Sequence, residues 1–231
     1  RDDSDGRVNS LTGKVGYRPF ETTDLSLTYA YVNDRLEQAG TLSLADLERS
    51  RKSNISPTDF SATEQSGVTF QGRQALPGGF SLAGTGFYRQ ISRDLQTVGL
   101  SASGRTLTDT DTTGGILQVS HDLRLWELRN NLVLGGEIRH SGISTGSTST
   151  FGPSDREIDE DVYGLYAQDA LDILPNLTLT GAVRYDVTTY GFEDIIAPVN
   201  NGDKRYSRVT PRVGGTYTPS NLVTIYGNYG E

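Results

Sequence analysis

Ten stretches of this 231-residue chain alternate apolar and polar side chains with a period of two. In the clearest, 177–186, Leu177, Leu179, Val183 and Tyr185 point one way. Thr178, Thr180, Arg184 and Asp186 point the other. Stretch 24–31 repeats the pattern with Leu25, Leu27, Tyr29 and Tyr31, 209–217 with Val209, Pro211, Val213 and Tyr217, and 222–229 with Val223, Ile225 and Tyr229. Weaker versions lie near 7–17, 62–75, 80–92, 113–123, 131–141 and 161–173. This period is that of a strand wet on one face and apolar on the other.

The connections constrain the fold further, because short and long ones alternate. Short links are expected at 18–23, 76–79, 124–129, 174–176 and 218–221. Several carry turn chemistry, as in Pro77-Gly78-Gly79 and Pro175-Asn176. Long links rich in Ser, Thr, Gly and Asp are expected at 35–60, 94–111, 142–159 and 193–204. A soluble sandwich has no reason to gather its long loops at one end. An outer-membrane barrel does, with short turns on one side, long loops on the other and strands of about ten residues.

Composition agrees with that class. Hydrophobic residues make up only 34% of the chain, yet it holds 12 Tyr, 7 Phe and 27 Gly. Disordered chains of low hydrophobicity are poor in aromatic and β-branched residues, so disorder is excluded. A net charge of −8 argues against nucleic acid as a partner. With no cysteine, disulfides and thiolate metal sites are excluded. No apolar run approaches the length of a membrane-spanning helix. The opening Arg1-Asp2-Asp3-Ser4-Asp5 has no signal-peptide character, and with no methionine the chain reads as an internal fragment or a processed one. Tyr17, Phe20, Phe80, Trp126 and Tyr217 all fall beside short links, where an aromatic girdle would anchor one membrane interface.

Stretches 162–169 (VYGLYAQD) and 177–186 (LTLTGAVRYD) resemble a strand pair of TonB-dependent outer-membrane receptors. Stretches 210–217 (TPRVGGTY) and 223–229 (VTIYGNY) are similar to the next hairpin of that family. The loop 40–51 (GTLSLADLERSR) with 58–60 (TDF) resembles an outer loop of its siderophore and ferric-citrate members. The resemblance implies an all-β antiparallel transmembrane barrel of 22 strands with a plugged lumen. Residues 1–231 would be about ten of those strands in an open curved sheet, a partial barrel domain without its plug or its C-terminal strands. It also implies a receptor in the outer membrane of a Gram-negative bacterium that imports a ferric siderophore or similar scarce ligand. Energy would come from the TonB complex, reached through a missing N-terminal part. Implied partners are outer-membrane lipid and lipopolysaccharide, the receptor's own plug and the ferric ligand.

Nothing in the residues supports catalysis or a cofactor. His121 and His140 lie in separate strands, with no HxH or HExxH spacing. No nucleophile elbow or phosphate loop occurs. The acidic run 157–161 lacks the ligand spacing of a calcium loop and reads as a solvated loop base or part of an anionic outer surface. The sharper candidates are Arg73, Arg89, Arg139, Arg184 and Arg212, which the alternation places on the polar face. A charge on the lipid face would cost about 2–4 kcal/mol at the midplane, so the lumen is the expected direction. Tyr166, Gln168, Tyr226 and Asn228 would share that surface. The resemblance makes plug contact the better expectation for all nine, with ligand contact second. Arg49, Arg51 and Lys52 are the loop candidates for ligand capture. Loop 35–60 is nevertheless electroneutral and the other three are acidic, which gives no electrostatic funnel for an anion. Two other readings stay open: a passive porin or adhesin-type barrel, and a soluble β-sandwich binding module with both sheet faces buried.

Overall fold

The computed structural model describes residues 5–38, 40, 42–52, 54, 56–98 and 103–230. They form a single antiparallel sheet in which every strand pairs with its neighbour in sequence. The strands are β1 (Gly6–Phe20), β2 (Thr23–Glu37), β3 (Phe60–Ala75), β4 (Phe80–Val98) and β5 (Ser103–Leu125). There follow β6 (Leu128–Ser149), β7 (Gly152–Leu174), β8 (Leu177–Asp194), β9 (Gly202–Ser220) and β10 (Val223–Gly230). All ten expected strands are present. The sheet is open, since β1 and β10 stand at its two ends and each pairs on one side only.

Among the described residues no second layer covers the sheet. The buried apolar residues among those described are Val162 and Val187, at 7% and 9% exposure. Leu117, Ile138, Leu165, Val209 and Ile225 stand exposed on one face. A soluble sandwich would bury that face, so the sandwich reading fails on this observation. Pairing holds the alternation in phase from strand to strand. One row on the apolar face runs through Tyr17, Leu25, Gly72, Gly84, Leu117, Gly136, Leu165, Tyr185 and Val209. The adjoining row on the polar face runs through Asp24, Arg73, Ala83, Gln118, Gly135, Tyr166, Arg184 and Thr210.

The long links need correction. Of the four, only 38–59 is mostly irregular, and it carries one short helix, α1 (Leu44–Arg49), whose first turn is capped by Ser43 Oγ accepting from the Asp46 amide at 3.2 Å. Most of 94–111 and 142–159 is strand: β4 runs to Val98, β5 starts at Ser103, and β6 and β7 are joined by Thr150 and Phe151. Stretch 193–204 shrinks to residues 195–201. These segments are polar on both faces, so hydropathy carries no period there. Their threonines and serines still favour the pleated backbone and pair across it. Ser92 Oγ donates to Asp109 at 2.5 Å, Ser147 and Ser154 hydroxyls meet at 2.7 Å, and Arg105 lies on Asp94 with two hydrogen bonds of 2.8 and 2.7 Å.

The two-residue turn from β5 to β6 runs through Trp126 and Glu127, both with positive φ, 48° and 71°. Two left-handed residues make the hairpin turn whose twist matches the strands, but non-glycine residues are strained there. Glu127→Gly should therefore stabilise the sheet by about 1 kcal/mol. A rise in the urea midpoint of the micelle-bound protein checks this. Trp126, 90% exposed, keeps its place at the turn-side rim in that variant.

Candidate functional site

All nine polar-face candidates share one face of the sheet. Pairing puts Arg73, Tyr166 and Arg184 in one row. Arg139 and then Arg89 lie in successive rows toward the loops. Gln168 and Arg212 share the first row toward the turns, with Asn228 and Tyr226 below. Two adjoining hollows on β7–β10 gather six of them. One, of about 640 Å³, is lined by Gln168, Arg212, Tyr226 and Asn228. The other, of about 480 Å³, is lined by Tyr166, Gln168, Arg184 and Arg212. Arg73, Arg89 and Arg139 are not part of either.

The nine divide by what they touch. Arg184 reaches across β7 to Glu137 on β6, with Nη2 donating at 2.8 Å, while its Nε donates to Asp186 at 2.8 Å. It can cross because Gly164 lies beneath it: a Cβ there would sit 2.6 Å from Arg184 Nη2. Tyr166 repeats the device one strand over, lying across Gly135 so that its hydroxyl donates to Gln118 Oε1 at 3.1 Å. Arg139 Nη2 donates to Glu160 at 3.3 Å, and the Tyr190 hydroxyl donates to the same carboxylate oxygen at 3.1 Å. These three side chains brace the wall laterally, each bridge tying together two or three strands. Arg73, Arg89 and Arg212, by contrast, form no ion pair among the described residues. Arg93, Arg208 and Lys204 share that face and that condition, and sequence reasoning missed them. Their spacing of four residues from Arg89 on β4, and of four and eight from Arg212 on β9, even numbers that keep one face, was the available signal. Glu137, Gln118 and Glu160 gave no signal of their own, because their partners lie 47, 48 and 21 residues away in sequence.

The loop-side end is held by buried polar anchors. Ser56 and Asp59, each 3% exposed, grip the last residue of β4: Ser56 Oγ donates to the Val98 carbonyl at 2.7 Å, and Asp59 Oδ1 accepts from the Val98 amide at 2.6 Å. Loop 38–59 is thus pinned to the next hairpin. Arg49, Arg51 and Lys52 stand exposed on it, Arg49 paired with Asp46 at 3.7 Å. Asp194 organises the β8–β9 connection by accepting from the amides of Ile196 and Ala197 at 3.1 and 2.8 Å. Its carboxyl is held below the ordinary value, first by the Ala197 amide. Desolvation opposes this; Asn200, the Ile196 amide and Arg156 help it. A lowered native pKa stabilises the folded form above the unfolded value and loses that contribution as pH falls through the native one. The loop is therefore expected to open to pepsin as pH drops below about 3.8, while Asp194→Asn is cleaved at a pH-independent rate relative to an unfolded reference peptide.

The histidines form no shared site. His121 stacks on Phe80 with ring centroids 3.7 Å apart and meets the Gly78 carbonyl at 2.9 Å, whereas His140 Nδ1 lies 2.9 Å from Asp161. No cluster of three metal-ligating side chains occurs among the described residues.

A family model for the TonB-dependent receptor-like β-barrel matches residues 5–231. No curated protein matches the sequence. Among solved structures, the unliganded ferric citrate transporter FecA superposes with a TM-score of 0.91 at 18% identity, over 99% of this chain and 36% of that one. The siderophore receptor PiuA from Acinetobacter baumannii gives 0.80 at 14% identity, over 97% and 42%. The ferric yersiniabactin uptake receptor FyuA from Yersinia pestis gives 0.74 at 12%, over 96% and 37%. The sheet thus has the fold of an arc of a barrel wall, and the chain spans 36–42% of the length of these three receptors. By the match across nearly its whole length, the chain belongs to the TonB-dependent receptor β-barrel family.

Proposed function

We propose that this chain is part of an outer-membrane active-transport receptor that imports a ferric siderophore or a similar scarce chelate with energy from the TonB complex. Receptors of the family sit in the outer membrane of Gram-negative bacteria, bind ferric siderophores and interact with TonB. It is a family of receptors rather than of enzymes. The observation that carries the reading is the polar wall itself. It presents Arg73, Arg89 and Arg212 without ion-pair partners among the described residues, and Arg212 lines both hollows, whose walls can hydrogen-bond. Arginine forks suit carboxylates, whether on a plug surface or on an anionic chelate.

On this reading Arg73, Arg212, Gln168, Tyr226 and Asn228, which lie toward the turns, meet the receptor's plug. Loop 38–59, with Arg49, Arg51 and Lys52, takes part in capture at the other end. Residues 1–231 supply one barrel segment, and the plug is a separate part of the receptor. The test is uptake of radiolabelled iron chelates by iron-starved cells with and without this receptor. Uptake should need both the receptor and an intact TonB complex. Receptor-dependent entry that persists without TonB would instead make the protein a passive pore.

A further inference from the structure

The apolar face carries a groove that the transport reading does not use. Its volume is about 1000 Å³, and it runs across seven consecutive strands, from Leu25 on β2 to Val187 on β8. At about 4.8 Å per strand, six steps make it about 29 Å long. Gly84, Gly86 and Gly115 form the floor, where neighbouring positions carry large side chains, and Leu25, Leu117 and Ile138 form the walls. Tyr163 and Tyr185 line the β7–β8 end, and neither hydroxyl has a hydrogen-bond partner among the described residues. Barrel strands tilt by about 35–45°, so a groove running along the strand-pairing direction crosses the hydrocarbon belt on a diagonal.

The two ends differ in charge. Just beyond the β7–β8 end, the same face is mostly acidic, with Asp111, Asp159 and Asp203 in one row, and Asp161 with Arg205 one row nearer the groove. With four carboxylates against one guanidinium, that end is net acidic and disfavours an anionic headgroup. The β2–β3 end closes on Thr23 and Gln74, whose side chains are hydrogen-bonded at 2.5 Å, with Arg73 also in the lining.

We propose that this groove is a binding site for one acyl chain of a phospholipid from the turn-side leaflet, its headgroup lying by Thr23 and Gln74. Hydrocarbon is the solvent around this face, so mere contact with lipid adds nothing to binding. Retention comes from dispersion contacts with walls on both sides of the chain, which a flat wall cannot supply. The site rests on the membrane placement proposed above and is independent of what the receptor transports.

The test is photo-crosslinking of the full-length protein, reconstituted in phosphatidylethanolamine–phosphatidylglycerol vesicles and, separately, in native outer membranes. Benzoylphenylalanine is placed at Leu117 in the groove or at Leu134 on the same face outside it, and adducts are weighed by mass spectrometry. Phospholipid adducts at position 117 should exceed those at 134 about fivefold. Gly84→Leu with Gly86→Leu should abolish the excess. A Cβ at Gly86 meets nothing within 4 Å and one at Gly84 only ordinary contacts, so the filled wall still folds. Equal yields at the two positions, a lipid A adduct, or a polypeptide adduct at 117 would each overturn the proposal. Absence of lipid adducts at both positions would overturn the membrane placement with it, whereas loss of iron uptake would leave both untouched.

Discussion

Replacing Arg184 by leucine should lower the stability of the wall by about 2–3 kcal/mol. The guanidinium holds Glu137 and Asp186 at 2.8 Å each, and all three side chains are partly shielded from solvent. Without it, two carboxylates face each other across Gly164 with no cation between them. The cost is chiefly that of those unpaired charges, so Glu137→Gln in the Arg184→Leu background should return part of it. Arg184→Lys should recover little, because a single ammonium cannot fork to acceptors on two strands. Urea unfolding of the parent, Arg184→Leu, Glu137→Gln and the double variant in micelles or vesicles, analysed as a double-mutant cycle, measures the coupling. A coupling near zero would show that the bridge contributes nothing and that solvent already screens it.

Gly114→Val should destabilise by about 1–3 kcal/mol through overpacking. A Cβ on Gly114 would stand 2.8 Å from the Ile138 carbonyl oxygen and 2.7 Å from the Phe87 ring. The ring can swing aside, but the carbonyl belongs to the adjoining strand and cannot. Adding Phe87→Leu should therefore rescue Gly114→Val only in part. The contrast is Gly86→Ala on the opposite face. Its new methyl meets no atom within 4 Å, and alanine holds an extended backbone at less entropic cost. That variant should be neutral or stabilising by up to about 1 kcal/mol. Equal losses at both positions would mean that strand glycines serve the backbone alone and that the packing argument is wrong.

The two variants also show how far the sequence was readable. The faces of the sheet were legible because strand geometry forces alternate side chains apart, and pairing keeps that alternation in phase. Leu25, Leu117 and Tyr185 on one face, and Arg73, Gln168 and Arg212 on the other, follow from counting by two. Turns were legible where Pro and Gly mark them, as at Pro77-Gly78-Gly79, and illegible at Trp126-Glu127, where neither residue announces a left-handed backbone. Strand length toward the loops was illegible too. Stretches such as 103–111 are polar on both faces and are held as strand by their partners, information that lies in the neighbouring segment.

The candidate site followed the same division. Composition and periodicity placed nine side chains on a common polar face, because that depends only on local geometry. Which of them brace the wall and which are left without ion pairs depends on registers between strands remote in sequence. Arg184 meets Glu137 because β8, β7 and β6 lie side by side with Gly164 between them. Arg73, equally polar and equally placed by its period, has only Asp24 opposite, and Asp24 is held by Arg18 at 2.5 Å. Alternation is a property of one strand and is written into its residues. A bridge across three strands is a property of their alignment, which exists only once the sheet has formed.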